Sequence, residues 1–478
     1  MSEDAEKAIK QGRELVQEDS GSDLTSHDSI LNEYTPTETK KVVHRVDRRI
    51  VPTLGVIYCI SLIVRMRDDL DLAVGTRYST VSLVFYPTFI LFQIPVVPTI
   101  RYFGPRAYLS GAAFTLGCLI VGGGFVTVWT EMVAVRVLLG VLEAGVLPGS
   151  MYLLSTWYMR YEVHKRFSIF YFIGEMASAF GSMLALGLMQ MKGLGGLNGW
   201  RWIFIIEGLM SVTISILSYF LIVGFPDESK RYWRFLNPRE TRLMRARVDA
   251  DRGDVQTEAF NLRAYLTVAA DPKLWGFAVI FCLTASVTNS LNYFLPIILR
   301  EGMHHTVAQS QYLSAPPYLL AGVWCVATAW LGDAYRVRSP ILLVNAALQL
   351  VGIGVTGWTA RPATRYAGIF LICCGAKANV PAMMSWQANN VRGQWKRAFC
   401  SGLLVSFGGV GGIVGSSVFR HRDAPQYRPG LYACFGCAGA VVVVTVGMAA
   451  WFAVVNRRAE RGECVIEGEE DRGFRYTL

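Results

Sequence analysis

The chain has 478 residues, 52% hydrophobic and 17% charged, and its 46 Lys and Arg outnumber 36 Asp and Glu to leave a formal charge of +10. So large an apolar share argues against a soluble assembly of about three domains. The basic residues lie in short loops between apolar runs and not on one compact unit, which argues against a nucleic-acid binder.

Residues 1–48 are polar and mixed in charge, the pattern of a disordered cytosolic tail without a cleavable signal peptide. Apolar runs then follow at 50–64, 79–100, 106–128, 132–158, 167–190 and 202–225, and after a charged stretch at 274–299, 309–331, 340–360, 366–390, 398–419 and 430–455. A run of about twenty residues matches the ~30 Å hydrocarbon core at ~1.5 Å per residue. The expected fold is therefore an all-α membrane protein with about twelve transmembrane helices in two six-helix bundles. The expected division is a tail over 1–48, a first bundle over 49–225, a cytosolic central loop over 226–272, a second bundle over 273–456 and a cytosolic tail over 457–478. The first run is short, about fifteen residues or roughly 22 Å, before Arg65, Arg67, Asp68 and Asp69, and needs bilayer thinning or snorkelling to span. The ten Cys lie mostly within runs (Cys59, Cys118, Cys282, Cys325, Cys373, Cys374, Cys400) without pairing or metal-ligand spacing, and read as small core residues.

Charge sets the orientation. Lys40, Lys41, Arg45, Arg48 and Arg49 precede the first run; Arg101 and Arg106, Arg160, Lys165 and Arg166, Arg336 and Arg338, and Arg392, Lys396 and Arg397 fill alternate loops; Arg457, Arg458 and Arg461 follow the last. An alternating chain puts all of them on one side, which the positive-inside rule makes cytosolic, with both termini. The segment Arg101 to Arg106 after the second run is echoed by Asp333 to Arg338 after the eighth. Such an echo suggests two repeats related by an axis along the membrane normal, with a midplane site between them. Arg101, Arg106, Asp333 and Arg336 are then candidates for a conformational latch at the cytosolic helix ends.

An ionisable side chain in hydrocarbon costs about 2.5–3.5 kcal/mol on insertion scales, so each needs a reason. Arg136 and Glu143 stand two turns apart on one face of the fourth run. Either they line a cavity, Arg136 attracting an anion and Glu143 exchanging a proton, or they form a structural ion pair. Lys377 lies near the middle of the tenth run, where it could meet an anionic substrate, pair with Glu143 or Glu175, or snorkel. Glu175, in the fifth run, is the matching candidate to load and release a proton, and packing against a basic partner is the alternative. Asn289, Asn292 and Tyr293 in the seventh run could hydrogen-bond a polar substrate or glue helices. Glu207, just after Trp200, Arg201 and Trp202, reads as structural. The pairs Gly145/Gly149, Gly408/Gly412 and Gly411/Gly415 are small-xxx-small faces that let helices approach. No Walker A sequence or His/Glu metal motif is present, so neither a metal nor another cofactor is expected, and no enzyme activity.

Those segments carry a resemblance. Arg136, Gly140, Glu143, Gly145, Pro148 and Gly149, followed by Tyr152, Ser155, Trp157 and Tyr158, are similar to span four of the anion:cation symporters of the major facilitator superfamily, and more narrowly of the fungal allantoate/nicotinate permease group. The Gly199–Gly208 stretch around Arg201 and Glu207 resembles that group's span six. So do Trp386, Asn389, Asn390, Lys396 and Arg397 running into Gly408–Gly415, then Asp423, Pro425 and Tyr427, and the closing Phe474 and Tyr476. Gly409 stands where the group often has Asn. The resemblance implies a monomeric, multi-pass transporter of the plasma membrane that moves a small organic anion (a vitamin, ureide or other carboxylate) with protons, its partners being solute, proton and lipid bilayer. Within it Arg136 and Glu143 carry over as cavity residues; Lys377, Glu175, Asn289 and Asn292 rest on burial. An exporter of a secondary metabolite is the alternative reading, and a non-transporting nutrient sensor a more distant one.

Overall fold

The computed structural model describes residues 34–59, 81, 83–226, 235–252, 261–303, 306–359, 361–419, 427–464, 466 and 474–478. Among them every regular element is a helix: α1 (Pro36–Cys59), α2 (Phe85–Phe103), α3 (Pro105–Gly123), α4 (Trp129–Glu143), α5 (Val146–Trp157), α6 (Val163–Met189) and α7 (Gly199–Leu221), then α8 (Pro238–Arg252) and α9 (Leu262–Thr267), then α10 (Pro272–Met303), α11 (Val307–Ala334), α12 (Ser339–Trp358), α13 (Pro362–Asn390), α14 (Gln394–Val418) and α15 (Arg428–Glu460), with short 3-10 turns between some of them. Ten helical segments among the described residues are long and apolar enough to cross a membrane, counting Trp129–Trp157 as one.

Helix α1 begins at Pro36, well before the first apolar run and inside the stretch expected to be a disordered tail. The reason is local and amphipathic. Thr35 and Glu38 cap the first turn reciprocally, Thr35 N–H donating to Glu38 Oε2 (3.0 Å) and Glu38 N–H to Thr35 Oγ1 (3.3 Å). Val42, Val43, Val46 and Ile50 then form a buried stripe while Lys41, Arg45 and Arg48 stay outside. The remainder of the short first run, with Arg65 to Asp69, lies outside the described residues.

Span four is broken in two. The α4 helix ends at Glu143 and α5 resumes at Val146, three residues before Gly149. Pro148 has no N–H to offer the Ala144 carbonyl, which loosens the helix at this point. Gly145 is required there by contact, since a Cβ would meet Tyr108 Cε1 and Val96 Cγ1 at 2.6 Å.

The two echoed loops share a backbone device as well as their charges. Gly104 (φ +80°) turns the chain between α2 and α3, and Arg336 (φ +56°) turns it between α11 and α12. Helices before and after the central stretch form two groups that meet along α6 with α11 and α2 with α14, supplemented by α6 with α13 and α5 with α14. The glycines of α14 serve both its neighbours: Gly411 and Gly415 face α10, and Gly409 and Gly412 face Ile90 and Tyr86 of α2. The basic loops gather on one face, the terminal face, where Arg166 pairs with Asp47 (2.8 Å), Lys396 with Asp271 (2.9 Å) and Arg45 of α1 with Glu240 of α8 (3.0 Å).

Candidate functional site

Lys377 stands near the middle of the 29-residue α13, and Glu175 near the middle of the 27-residue α6. The two come from opposite helix groups and are 2% and 6% exposed. Lys377 Nζ donates to Glu175 Oε2 and to Asn292 Oδ1 of α10 (2.7 Å), and lies 4.6 Å from the centre of the Tyr318 ring on α11. The ammonium thus meets a carboxylate, an amide oxygen and an aromatic face, which suits its three donors and single charge. An ion pair this deep persists only because its partners are close and complementary.

Glu175 is held from its other side by tyrosines. Tyr171, one turn earlier on α6, hydrogen-bonds its carboxylate. Tyr58 of α1 lies within electrostatic reach of both Glu175 and Glu143, and its ring centre is 6.2 Å from that of Tyr171. Gly174 makes the room, because a Cβ there would come within 2.1 Å of Tyr58 Cδ1. The first helix group therefore offers two carboxylates within electrostatic reach of one phenol, and the second offers the lysine.

The candidates sort accordingly. Lys377, Glu175 and Asn292 meet in one cluster, and Glu143 lies within electrostatic reach of Tyr58. Asn289 donates instead to the Ala285 carbonyl of its own helix (2.9 Å). Arg136 is half-buried on α4, seven residues from Glu143. The Tyr293 side chain lies outside the described residues. Tyr318, Tyr171 and Tyr58 were missed by sequence reasoning, since a tyrosine within an apolar run looks like core; only the i, i+4 spacing of Tyr171 and Glu175 could have signalled contact.

Asp333 pairs with Arg338 (2.5 Å), which is wholly buried, and accepts from the Lys165 backbone N–H (2.9 Å). Arg336, named with Asp333 as a latch candidate, is exposed, its Cζ 5.4 Å from the Tyr161 ring centre. Its left-handed backbone turns its side chain away from the loop interior, leaving Arg338 to enter. Arg338 also donates to the Arg160 carbonyl across the seam (3.0 Å). Burial pushes the Arg338 guanidinium below its ordinary range, and the Asp333 charge opposes that shift. Arg101 stacks on Phe225 (4.5 Å) and, with the Gln394 amide turned to satisfy it, donates through Nε to that oxygen (2.9 Å), joining α2 to α14. Arg106 stacks on Tyr219 (4.2 Å) within the first group. Near the opposite face, Arg201 donates to the Gly124 carbonyl (2.9 Å) and packs on Trp200 (4.7 Å).

A buried cation–anion pair joining two helix groups across a midplane is the architecture of a carrier, and comparison with known proteins decides the family. Residues 53–416 match the model of the Major Facilitator Superfamily. The chain belongs to that superfamily. Among curated relatives of this facilitator, the MFS-type transporter cnsO of Penicillium expansum is 28% identical over 96% of this chain and 92% of its own length. The high-affinity nicotinic acid transporter of Saccharomyces cerevisiae is 27% identical over 85% of this chain and 76% of its own. Among solved structures, the proton:xylose symporter XylE aligns with a TM-score of 0.64 at 13% identity, over 86% of this chain and 96% of its own. The human organic anion transporter MFSD10 aligns at 0.59 and 14%, over 86% and 99%. At such identities the structures establish the fold, an all-helical facilitator, with ten candidate spans among the described residues. It is a fungal-type transporter, not an enzyme, that spans the membrane many times.

Proposed function

We propose that this facilitator carries a small organic anion across the membrane together with protons, and that the Lys377–Glu175 pair is its coupling element. The observation behind this reading is the placement of one lysine and one carboxylate, from opposite bundles, at mid-helix depth. With Glu175 ionised the lysine is satisfied internally. A proton on Glu175 removes that attraction and frees the ammonium for a substrate carboxylate, which Asn292 and the Tyr318 face would help to seat. Release of the anion returns the lysine to Glu175 and expels the proton. Protonation and anion binding therefore favour each other without any direct contact between them.

Glu143, reached through Tyr58, serves as the second carboxylate along the proton route, and Arg136 on the same helix adds positive potential that draws an anion inward. The bundles over 49–225 and 273–456 rock about the site, with both termini and the central stretch in the cytosol of a plasma-membrane protein acting as a monomer. A relative that transports nicotinic acid and a fold neighbour that transports organic anions support the choice of a carboxylate-bearing solute.

The test is uptake into proteoliposomes by an imposed pH gradient, using nicotinate and a panel of labelled carboxylates. The reading requires accumulation that follows the gradient, is lost in Lys377→Ala, and becomes gradient-insensitive in Glu175→Gln. Accumulation indifferent to the gradient in the unaltered protein would sink it. If deletion of the protein in cells raises an internal product and leaves import unchanged, the same pair works in export.

A further inference from the structure

Residues 474–478 fold back into the seam between the two bundles at the terminal face, and nothing in the transport cycle above uses them. They are anchored firmly to the second bundle. The Asn390 side chain brackets Thr477, accepting from its N–H (2.7 Å) and donating to its carbonyl (3.1 Å), to which Trp386 Nε1 also donates (2.8 Å). Asn456 brackets Tyr476 in the same way at 2.9 Å on each side, and Arg338 N–H donates to the Leu478 carbonyl (2.7 Å). The Tyr476 ring stacks on Phe452 (4.6 Å) and its hydroxyl accepts from Lys273 Nζ (3.3 Å).

Towards the first bundle the same segment makes fewer contacts. Arg160 lies over the Phe474 ring at 4.4 Å, and Tyr161 and Thr477 share a hydroxyl–hydroxyl bond of 3.3 Å. Two asparagines that each pair with both backbone groups of one residue are a built socket, and they recognise strand-like backbone much as a neighbouring strand would. The asymmetry is what matters. Among the described residues, one side is a socket of six backbone bonds and a stacked ring, and the other includes a cation–π contact and a long hydroxyl bond.

We propose that segment 474–478 is a strap carried by the second bundle that docks on Arg160 and Tyr161 and holds the terminal face shut. When the bundles part on this face, the strap stays in its Asn390–Asn456 socket and lets go of the first bundle. The strap therefore sets how often the face opens, and a factor that pulls it from the socket would raise that frequency. This rests on the rocking motion described above but not on the solute or on proton coupling.

The test reads access and not uptake. Cys400 of α14 is 2% exposed at this seam, next to Phe399, whose ring centre lies 5.2 Å from that of Tyr265, and the Tyr265 hydroxyl donates to the Ile94 carbonyl of α2 in the first bundle (2.8 Å). In full-length protein keeping Cys400 as its one cysteine, its alkylation rate by a membrane-impermeant maleimide in inside-out vesicles reports opening. Deleting 474–478 is expected to speed alkylation on the order of tenfold, as befits the loss of a few weak bonds across the seam, and the free peptide Phe-Arg-Tyr-Thr-Leu to slow it again. Phe474→Ala, which leaves the socket bonds intact, is expected to speed it several-fold if the deletion does not fold. An unchanged rate in Phe474→Ala, or in a folded deletion variant, overturns the proposal. Loss of gradient-driven uptake with unchanged alkylation would count against the strap and leave the transport reading standing.

Discussion

Lys377 and Glu175 are 202 positions apart in the chain, yet they share a hydrogen bond at the middle of two helices from opposite bundles. Each is the reason the other is tolerated. A lone charge at that depth would cost several kcal/mol, and a pair bonded further to Asn292 and Tyr171 converts that cost into a switchable contact.

Removing one member should therefore destabilise more than removing both. Glu175→Ala strands the buried ammonium and is expected to cost about 3–5 kcal/mol, while Lys377→Met combined with Glu175→Leu should recover most of that loss. Thermal unfolding in detergent gives the order: the single variant melts lowest, and the double lies near the parent. A double variant as unstable as the single would mean that the buried ammonium and carboxylate do not compensate each other.

Gly322 of α11 faces Phe172 of α6 so closely that a Cβ would fall 1.9 Å from Cδ2 of the ring. Gly322→Ala should push these helices apart and cost about 1–3 kcal/mol. Adding Phe172→Leu should restore part of it, because the clash is with one side chain and not with backbone. A melting curve unaltered by Gly322→Ala would contradict the close approach.

The two basic residues of the α11–α12 turn should respond oppositely. Arg336 holds a left-handed backbone at φ +56°, so Arg336→Gly relieves strain and is expected to leave stability unchanged or raise it by up to about 1 kcal/mol. Arg338→Met leaves Asp333 buried without its guanidinium partner, and a loss of about 3 kcal/mol is expected. Denaturant midpoints for the two variants in one detergent separate the cases; equal losses would return the latch role to Arg336.

Along α1, Val46 is fully buried on the stripe that seats the helix against the first bundle. Val46→Asp should free the helix and expose it to limited proteolysis near Lys40 and Lys41, whereas Arg48→Asp, on the exposed face, should not.

Much of the fold was legible because lipid imposes its own length scale. Among the described residues, ten segments long and apolar enough to span stand close to the apolar runs read from the chain, whereas the break in span four, one unbroken run over 132–158 in the sequence, shows only in the structure. The start of α1 was not legible either, because a hydropathy reading passes over an amphipathic helix whose Val42, Val43 and Val46 are interleaved with charge. At the site, burial pointed to Lys377 and Glu175 separately and left Glu143 open as a partner. Only packing chose between them, since α6 and α13 touch along the seam.

The sequence by itself determined that the chain crosses a membrane many times, which basic loops share a face, and which few charged residues fall within apolar runs, because each of these follows from local composition against a fixed apolar thickness. Which charges meet, which of Arg336 and Arg338 turns inward, and where Phe474 to Leu478 come to rest were decided by tertiary structure alone. Those choices depend on geometry between helices hundreds of residues apart, and on one left-handed backbone angle, neither of which leaves a period or a spacing in the chain.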